Sequence, residues 1–255
     1  MVHPKKHLGQ HFLTDPSIAE RIVKLLPGDE EKIVMEIGPG KGILTDYLIR
    51  GNIKKLIPVE IDSESVTFLI HKYPELKETI IGEDFLKMDE KLFHEDGLHI
   101  IGNFPYNISS QIFFRVLEQK QHIQSVVCMI QKEVAERIVA PPGSKTYGIL
   151  SVLLQAYYDT KFRFNVKPGS FFPPPKVTSS VITLHRNETQ KLDCDEKLFF
   201  RVVKTAFNQR RKTLRNSLKT ILLTLENENE LLPKRPEQLG VKEFVSLTNF
   251  VQSRM

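Results

Sequence analysis

The sequence lacks the features that mark extracellular, membrane and metal-binding proteins. Its two cysteines, Cys128 and Cys194, lie far apart, without the spacing of a metal site or a disulfide framework. No apolar run approaches the roughly 20 residues that a membrane-spanning helix needs. The basic start at residues 3–7 is not followed by the apolar segment of a signal peptide. We therefore expect a cytoplasmic protein with no membrane partner and no bound metal.

The positive charge of the chain is concentrated at residues 5–7 and in one longer segment. The 255 residues are 40% hydrophobic and 26% charged, which supports one large domain or a large and a small one. The formal net charge is +5, and residues 197–225 contain no acidic residue. Charge runs are usually solvated faces, but a helical face with a single sign of charge is typical of phosphate-binding surfaces. Its basic residues are Lys197, Arg201, Lys204, Arg210, Arg211, Lys212, Arg215 and Lys219.

A glycine-rich turn follows the first predicted strand. The mostly apolar residues 32–37 lead into Gly38, Gly40 and Gly42, and a helical pattern continues from 43 to 50. Glycines let a backbone approach a ligand closely, and the helix N-terminus faces that ligand, so this arrangement predicts the start of a nucleotide-binding βαβ unit. The absence of G-x-x-x-x-G-K-[ST] disfavours a triphosphate site. A turn that only packs the helix on the strand is the structural alternative.

Polar residues follow three further predicted strands. Glu60 ends the strand at 55–61 and lies 22 residues beyond Gly38, close to the distance of about 20 at which an acid binds ribose hydroxyls. Asp84 follows a third strand at 79–82 and can accept a hydrogen bond from an adenine amine; a solvated loop is the alternative. Asn103 ends the fourth strand. The carboxyl ends of parallel strands share one edge of a sheet, where ligands bind.

The segment Asn103-Phe104-Pro105-Tyr106 offers a side-chain amide, a constrained carbonyl group and an aromatic ring. Proline fixes its own φ and favours extended geometry in the residue before it. Two oxygen acceptors can orient an exocyclic amine on a flat heterocycle, so that its lone pair is directed at an electrophile, while the tyrosine ring stacks on the base. An ordinary strand-to-loop turn with proline is the alternative.

The pattern as a whole predicts an α/β fold. A fifth strand at 123–130 precedes a helix, and two runs at 160–166 and 177–184 should form an antiparallel pair at the end of the sheet. The stiff, proline-rich segment between them can hold an aromatic ring over a cleft. We place an α/β domain at residues 1–186 and a small helical domain, which carries the basic segment, at 187–255.

Six motifs, in this order along nearly the whole chain, resemble the small-subunit ribosomal RNA adenine N6-dimethyltransferase family. They are GQHFL at 9–13, EIGPGKG at 36–42, NFPY at 103–106, QKEVA at 131–135, FFPPPKV at 171–177 with Ser179, and FNQRRKTL at 207–214.

The resemblance implies a Rossmann-like class I methyltransferase sheet with a small C-terminal α-helical domain. It implies dimethylation of two adjacent adenosines near the 3′ end of small-subunit (16S) ribosomal RNA, in the immature small ribosomal subunit, with S-adenosyl-L-methionine as cofactor. We expect a monomer. The implied cofactor-binding residues are His11, Leu13, Gly38, Glu60, Asp84 and Asn103. The implied catalytic residues are Asn103, Pro105, Tyr106 and Phe171, with Tyr106 and Phe171 on the two faces of the base. The predicted RNA contacts are Arg210, Arg211, Lys212 and Arg215.

Three alternatives remain at this point. A large-subunit RNA adenine methyltransferase of the macrolide-resistance type shares the N-terminal motifs, although FNQRRKTL and its basic helix favour the small-subunit family. A DNA adenine methyltransferase would need a base-reading module that the sequence does not show. A non-catalytic assembly factor could retain the fold, but intact Glu60, Asp84 and Asn103 favour an active enzyme.

Overall fold

A computed structural model describes residues 2–28, 32–51, 53–93, 97–221 and 229–255. Residues 222–225 of the predicted basic segment, including the apolar Leu222, lie outside the described residues. The strands are β1 (Phe12–Leu13), β2 (Lys32–Ile37), β3 (Ile53–Val59), β4 (Leu98–Asn103), β5 (Ile123–Gln131), β6 (Tyr158–Val166), β7 (Phe171–Phe172) and β8 (Ser179–Arg186).

The helices alternate with the strands in the first half of the chain and dominate the second half. The α-helices are α1 (Pro16–Val23), α2 (Thr45–Ile49), α3 (Ser63–Lys72), α4 (Ser109–Glu118), α5 (Lys132–Val139), α6 (Ile149–Gln155), α7 (Glu196–Asn208), α8 (Leu214–Ser217) and α9 (Val241–Gln252). The short 3₁₀ helices are Lys6–Leu8, Pro74–Leu76, Phe85–Lys87, Glu90–Phe93, Pro168–Ser170, Leu218–Thr220 and Pro236–Gln238.

The central sheet has six strands in the order β3-β2-β4-β5-β8-β6. The first four are parallel, and β8 runs antiparallel to β5. Their long apolar runs are buried because helices cover parallel sheets on both faces. This arrangement confirms the predicted α/β class and places β6 and β8 side by side at one end of the sheet.

The ends of the parallel strands lie in line. Ile37 is opposite Val59 in β3 and Gly102 in β4, and Asn103 is opposite Met129 in β5. A Cβ atom at Gly102 would lie 2.4 Å from the carbonyl oxygen of Ile37, so only glycine permits this close approach. The glycine turn after β2 and the turn after β4 are therefore neighbours.

The sequence predicts a third strand at 79–82, and this prediction is wrong. It contributes only an isolated parallel bridge, between Ile81 and Val59. The segment is short, and Gly82 at its end is exposed and has no side chain to pack. The bridge still brings Asp84 to the carboxyl edge of the sheet, the edge at which the sequence had placed it.

The first helix shows why local signals predicted its start. Asp15 is extended, and its carboxylate accepts hydrogen bonds from the backbone N–H groups of Ser17 and Ile18, while Pro16 occupies the first helical position.

A separate sheet of two strands forms near the N-terminus, where β1 pairs antiparallel with β7. This pairing joins the N-terminal residues to a distant part of the sequence.

The chain divides into two compact units, Met1–Ala135 with Thr160–Arg186, and Glu136–Asp159 with Asn187–Met255. The first unit ends at Arg186, and residues 136–159, which the sequence analysis placed in the first domain, lie in the second unit. The second unit has its own core, in which α7 packs against α9 and the ring of Phe207 stacks on Phe244 at 6.0 Å. No helix among the described residues is long and apolar enough to cross a bilayer.

Candidate active site

A cavity of about 160 Å³ opens at the carboxyl edge of the sheet, within the first unit. Four segments line it: the N-terminal residues 8–12, the turn after β2, the end of β3 with residues 83–86, and the turn after β4. Three of the four parallel strands, β2, β3 and β4, therefore contribute their carboxyl ends, the edge at which ligands bind in an open α/β sheet.

The glycine turn has a backbone that side chains would obstruct. Gly38, Gly40 and Gly42 all have positive φ, at 65°, 56° and 77°. A Cβ atom at Gly40 would lie 2.7 Å from a ring carbon of Phe12. The two arms of the turn are joined by a buried hydrogen bond of 2.7 Å, in which the Thr45 hydroxyl donates to Glu36. Burial raises the pKa of the Glu36 carboxyl to about 8, so this group holds a proton at neutral pH.

A second buried acid, Glu60, lines the cavity itself. Its Oε2 accepts a hydrogen bond of 3.0 Å from the backbone N–H of Gly40, and its Oε1 accepts one of 2.9 Å from the N–H of Asp62. Glu60 is 4% exposed, and burial raises its pKa above the usual value. Asp84, also in the lining, caps the following 3₁₀ helix by accepting from the N–H of Leu86. Two carboxylates thus face one cavity beside a glycine turn.

The side-chain orientation of Asn103 is set by a hydrogen bond. Its Nδ2 donates to the carbonyl oxygen of His11 at 2.8 Å, whereas its Oδ1 accepts no hydrogen bond from the described residues. Since the amide nitrogen is committed as donor, the oxygen is the atom left to accept. The carbonyl oxygen of Phe104 likewise accepts no hydrogen bond from the described residues, although its N–H donates to Met129. The turn therefore offers two oxygen acceptors next to each other.

Tyr106 has a ring that is fixed at both ends. Its hydroxyl makes a short hydrogen bond with the Ser179 hydroxyl, and its ring stacks on the His11 imidazole with centroids 5.5 Å apart and an interplanar angle of 29°. The Nδ1 atom of His11 is 2.7 Å from the carbonyl oxygen of Pro173. Burial raises the pKa of Tyr106 despite the bond to Ser179, so the phenol remains neutral. The ring is a preformed flat surface at the cavity.

The structure brings most of the predicted site residues together. Those that line the cavity are His11, Gly38, Glu60, Asp84, Asn103, Pro105 and Tyr106. Leu13 and Phe171 do not line it; they are paired across β1 and β7 and are buried in the apolar core.

The placement of Phe171 differs from the prediction that its ring covers the target base. Phe171 is 4% exposed, whereas Phe172 is 58% exposed. Successive side chains of a strand point to opposite faces, so only one of the two rings can be buried in the core. The motif identified an aromatic pair but could not show which ring faces inward.

The predicted RNA contacts lie in the second unit, in and after the turn that ends α7. Arg211 and Lys212 are exposed. Arg210 is half-buried and donates from Nη2 to the carbonyl oxygen of Ser144 at 3.2 Å. Arg215 is half-buried in α8. The structure therefore leaves Arg211 and Lys212 as the most accessible cations of this group.

Two contacts at the site were missed by sequence reasoning. Ser179 was noted only as part of a motif, and nothing in the sequence showed that it holds the Tyr106 hydroxyl. Lys5 was grouped with a basic N-terminal stretch, but its Nζ bonds the carboxylate of Asp62. Neither partner could be inferred, because the residues are 73 and 57 positions apart in the chain.

Comparison with known proteins identifies the family. The family model described as ribosomal RNA adenine dimethylase matches residues 1–249. The chain belongs to this family. Among curated relatives, "Ribosomal RNA small subunit methyltransferase A" of Bacteroides thetaiotaomicron is 54% identical over 261 residues, covering 100% of this chain and 96% of the relative. The protein of the same name from Flavobacterium johnsoniae is 54% identical over 254 residues, covering 99% and 97%.

Solved structures place the ribosomal RNA adenine dimethylase fold among class I methyltransferases. A dimethyladenosine transferase from Plasmodium falciparum aligns with a TM-score of 0.79 at 25% identity, covering 96% of this chain and 98% of that one. The 23S rRNA methyltransferase ErmE aligns with a TM-score of 0.70 at 22% identity, covering 93% and 99%, which shows the fold alone. The predicted Rossmann-like class I sheet is confirmed.

As a member of the dimethylase family, the protein is a ribosomal RNA adenine dimethyltransferase, and its cofactor is S-adenosyl-L-methionine. The cavity fits that group. Its glycine turn leaves no side chain between backbone and ligand, and its buried carboxylate can accept hydrogen bonds from a ribose. The described residues contain no cluster of three or more His, Cys, Asp or Glu side chains that could hold a metal ion.

Proposed function

We propose that this protein dimethylates N6 of two adjacent adenosines in a 3′-terminal stem-loop of 16S ribosomal RNA, acting as a monomer on the immature small subunit late in assembly. The names of its relatives, which match over nearly their whole length, support the small-subunit target. The observation that carries the chemistry is the orientation of Asn103, whose amide nitrogen is held by His11 so that Oδ1 is the remaining acceptor at the cavity.

The donor half of the cavity would hold the cofactor. Glu60 would accept from the ribose hydroxyls, Asp84 from the adenine amine, and the backbone at Gly38 would approach the ligand without obstruction. When bound, S-adenosyl-L-methionine supplies an electrophilic methyl group on a positively charged sulfur. Hydrogen bonds from the backbone N–H groups of Gly40 and Asp62 keep the Glu60 carboxylate in place.

The acceptor half would hold an adenine flipped out of its RNA loop, since the N6 atom of a stacked base is out of reach. Tyr106 stacks on one face of the base. Asn103 Oδ1 and the Phe104 carbonyl oxygen accept the two N6 hydrogens, and this geometry localises the nitrogen lone pair and aims it at the donor half. Pro105 keeps the two oxygens at a fixed separation. The protein's contribution is alignment by groups already in position.

The acceptor geometry also bears on the second methylation. N6-methyladenine keeps one N–H, so one of the two acceptors still has a partner when the base binds again. The ring of Phe104 is buried against Phe113, with centroids 5.9 Å apart, so it is held in the core while its carbonyl group remains available. Phe171 would reach the other face of the base only by leaving the core, and we assign the stacking role to Tyr106.

Incubation with labelled methyl donor and immature small subunits, followed by mapping of the products by nucleotide, tests this proposal. We expect label on two adjacent adenosines in the 3′-terminal stem-loop, with Asn103→Ala as a control that labels them much more slowly. Label on large-subunit RNA would instead support a methyltransferase of the macrolide-resistance type, whose fold is shared. Cofactor binding without transfer to either RNA would point to an assembly factor.

A further inference from the structure

We propose that Lys5 is a positioning residue for methyl transfer, because through Asp62 it anchors the segment that joins the donor half of the cavity to the acceptor amide. We call residues 5–13 the N-terminal strap. The inference rests on the proposed roles of Glu60 and Asn103 and assigns a function to a side chain that touches neither substrate nor cofactor.

The anchor is an ion pair with a buried carboxylate. Lys5 Nζ lies 2.5 Å from Asp62 Oδ1 and 3.4 Å from Glu64 Oε1. The Asp62 side chain is 1% exposed, and that of Lys5 28%. Burial acts to raise the pKa of Asp62, but hydrogen bonds from Lys5 and Ser65 outweigh it, and the pKa lies below its usual value. Among the described residues Lys5 is the cation that makes an ion pair with this carboxylate.

Asp62 is fixed to the body of the first unit and to the donor acid. Its own N–H donates to Glu60 Oε1, its Oδ2 accepts from the Ser65 hydroxyl, and it caps the N-terminus of α3. A strap attached to Asp62 is therefore attached two residues from the carboxylate that would bind the ribose. Movement at this point is limited because every polar atom of the Asp62 side chain has a partner.

The strap has a defined conformation between its anchor and its far end. The backbone N–H of Lys5 donates to Gln10 Oε1 at 2.8 Å, which closes a loop over residues 5–10. Gly9 has φ 63°, and a Cβ atom there would lie 2.6 Å from Asn107 Oδ1, so the loop fits closely against the turn after β4. The far end is His11, whose carbonyl oxygen holds the Asn103 amide.

A continuous series of bonds therefore runs from Glu60 through Asp62, Lys5 and the strap to Asn103. Residues 8–12 of the strap also line the cavity. Without the Lys5 ammonium, Asp62 keeps only neutral donors, and the start of the strap loses its attachment. We expect two effects together: weaker cofactor binding, because a wall of the cavity loosens, and slower transfer, because the His11 carbonyl no longer fixes the amide.

The test compares Lys5→Met with Lys6→Met in the full-length protein. The neighbouring Lys6 is exposed and makes no ion pair with the described residues, so both variants remove one positive charge from the same stretch, and any loss of RNA attraction is matched. We expect Lys5→Met to raise the calorimetric Kd for S-adenosyl-L-methionine and to lower kcat, each by roughly five- to fiftyfold. The RNA KM should equal that of Lys6→Met. Lys5→Arg should restore both values.

A second background separates this inference from the proposed function. In Asn103→Ala protein, Lys5→Met should still weaken cofactor binding but should lower kcat no further, because the amide that the strap orients is absent. Equal cofactor Kd and kcat in Lys5→Met and Lys6→Met would overturn the role of Lys5. If wild-type protein binds cofactor but methylates no ribosomal RNA, the proposed function fails, while the Kd comparison still decides whether Lys5 anchors the strap.

Discussion

The Nδ2 atom of Asn103 lies 2.8 Å from the carbonyl oxygen of His11. This contact makes the amide oxygen the acceptor at the cavity, because an amide has a single nitrogen with two hydrogens and a single oxygen. A residue of the N-terminal strap thereby determines which polar atom of this amide is left to accept a hydrogen bond.

Replacing Asn103 with Ala should raise the barrier to methyl transfer by about 2–4 kcal/mol, as does the loss of other preorganised hydrogen-bonding groups. RNA affinity should be nearly unchanged because the base remains stacked on Tyr106. Single-turnover rates measure the change in the barrier, and filter binding measures the RNA affinity. Asn103→Asp is a matched control of the same size, and it should also be slow, because one of its oxygens would face the His11 carbonyl oxygen. Near-normal turnover in the alanine variant would refute the assigned role.

The Ser179–Tyr106 hydrogen bond should matter less than the Tyr106 ring. Tyr106→Phe and Ser179→Ala each remove the bond but keep the flat surface, so we expect transfer rates within about tenfold of wild type. Tyr106→Ala removes the stacking surface, which is worth about 1–3 kcal/mol per base. Measuring the KM for RNA in the three variants tests this order. Equal defects in Tyr106→Phe and Tyr106→Ala would show that the hydroxyl, not the ring, is the important part.

As the pH decreases, cofactor affinity should begin to fall at a higher pH than it would if the site held a glutamate of ordinary pKa. Burial raises the pKa of Glu60, so its carboxylate gains a proton earlier as the pH decreases and then loses acceptor capacity for ribose hydroxyls. Calorimetric titration of S-adenosyl-L-methionine across the acid range measures this. Glu60→Gln should bind weakly with little dependence on pH. If the cofactor affinity of the wild-type protein depends on pH no more than that of Glu60→Gln, the role assigned to this acid is contradicted.

The two neighbouring phenylalanines should behave differently. Phe171 is buried in the core, so Phe171→Ala should lower the free energy of unfolding by about 3–5 kcal/mol. Phe172 is mostly exposed, so Phe172→Ala should change it by less than about 0.5 kcal/mol. Denaturant titrations compare the two variants. If Phe171→Ala is fully stable but loses much of its activity, the ring of Phe171 acts at the base-binding site and not in the core.

Neutralising Arg211 and Lys212 together should weaken RNA binding and reduce the dependence of log K on log salt by roughly 1 to 2, since each cation releases about one counterion. Both side chains are exposed, so stability should be unaffected. Replacing Lys54 and Lys77, which are also exposed and lie outside the basic segment 197–225, gives a control with the same charge change. An unchanged salt slope would remove this turn from the RNA-binding surface.

The sequence predicted the parallel strands and their polar ends because these signals are local. A buried apolar run, a glycine turn and an acid at a set distance identified Gly38, Glu60 and Asn103 without knowledge of the fold. The segment 79–82 carried the same apolar signal but was too short to form a ladder. Phe171 and Phe172 could not be distinguished, because which ring faces the core depends on the register with Phe12 and Leu13.

The bond partners within the site were outside the reach of sequence reasoning. Lys5 and Asp62 are joined by tertiary structure across 57 positions, and Tyr106 and Ser179 across 73. A charged group or a hydroxyl group at any of these positions could bond to many different partners, so its actual partner could not be predicted. Most of the predicted site residues thus line the cavity, whereas the residues that orient them could be found only from the coordinates.

The pairing of β1 with β7 has a consequence for synthesis. The His11 ring meets Pro173, 162 positions later in the chain, and Phe12 pairs with Phe172. During translation the strap emerges well before β7 and has no strand to join until those later residues have left the exit tunnel. The wall of the cavity that the strap forms is therefore complete only after residue 173 has been translated.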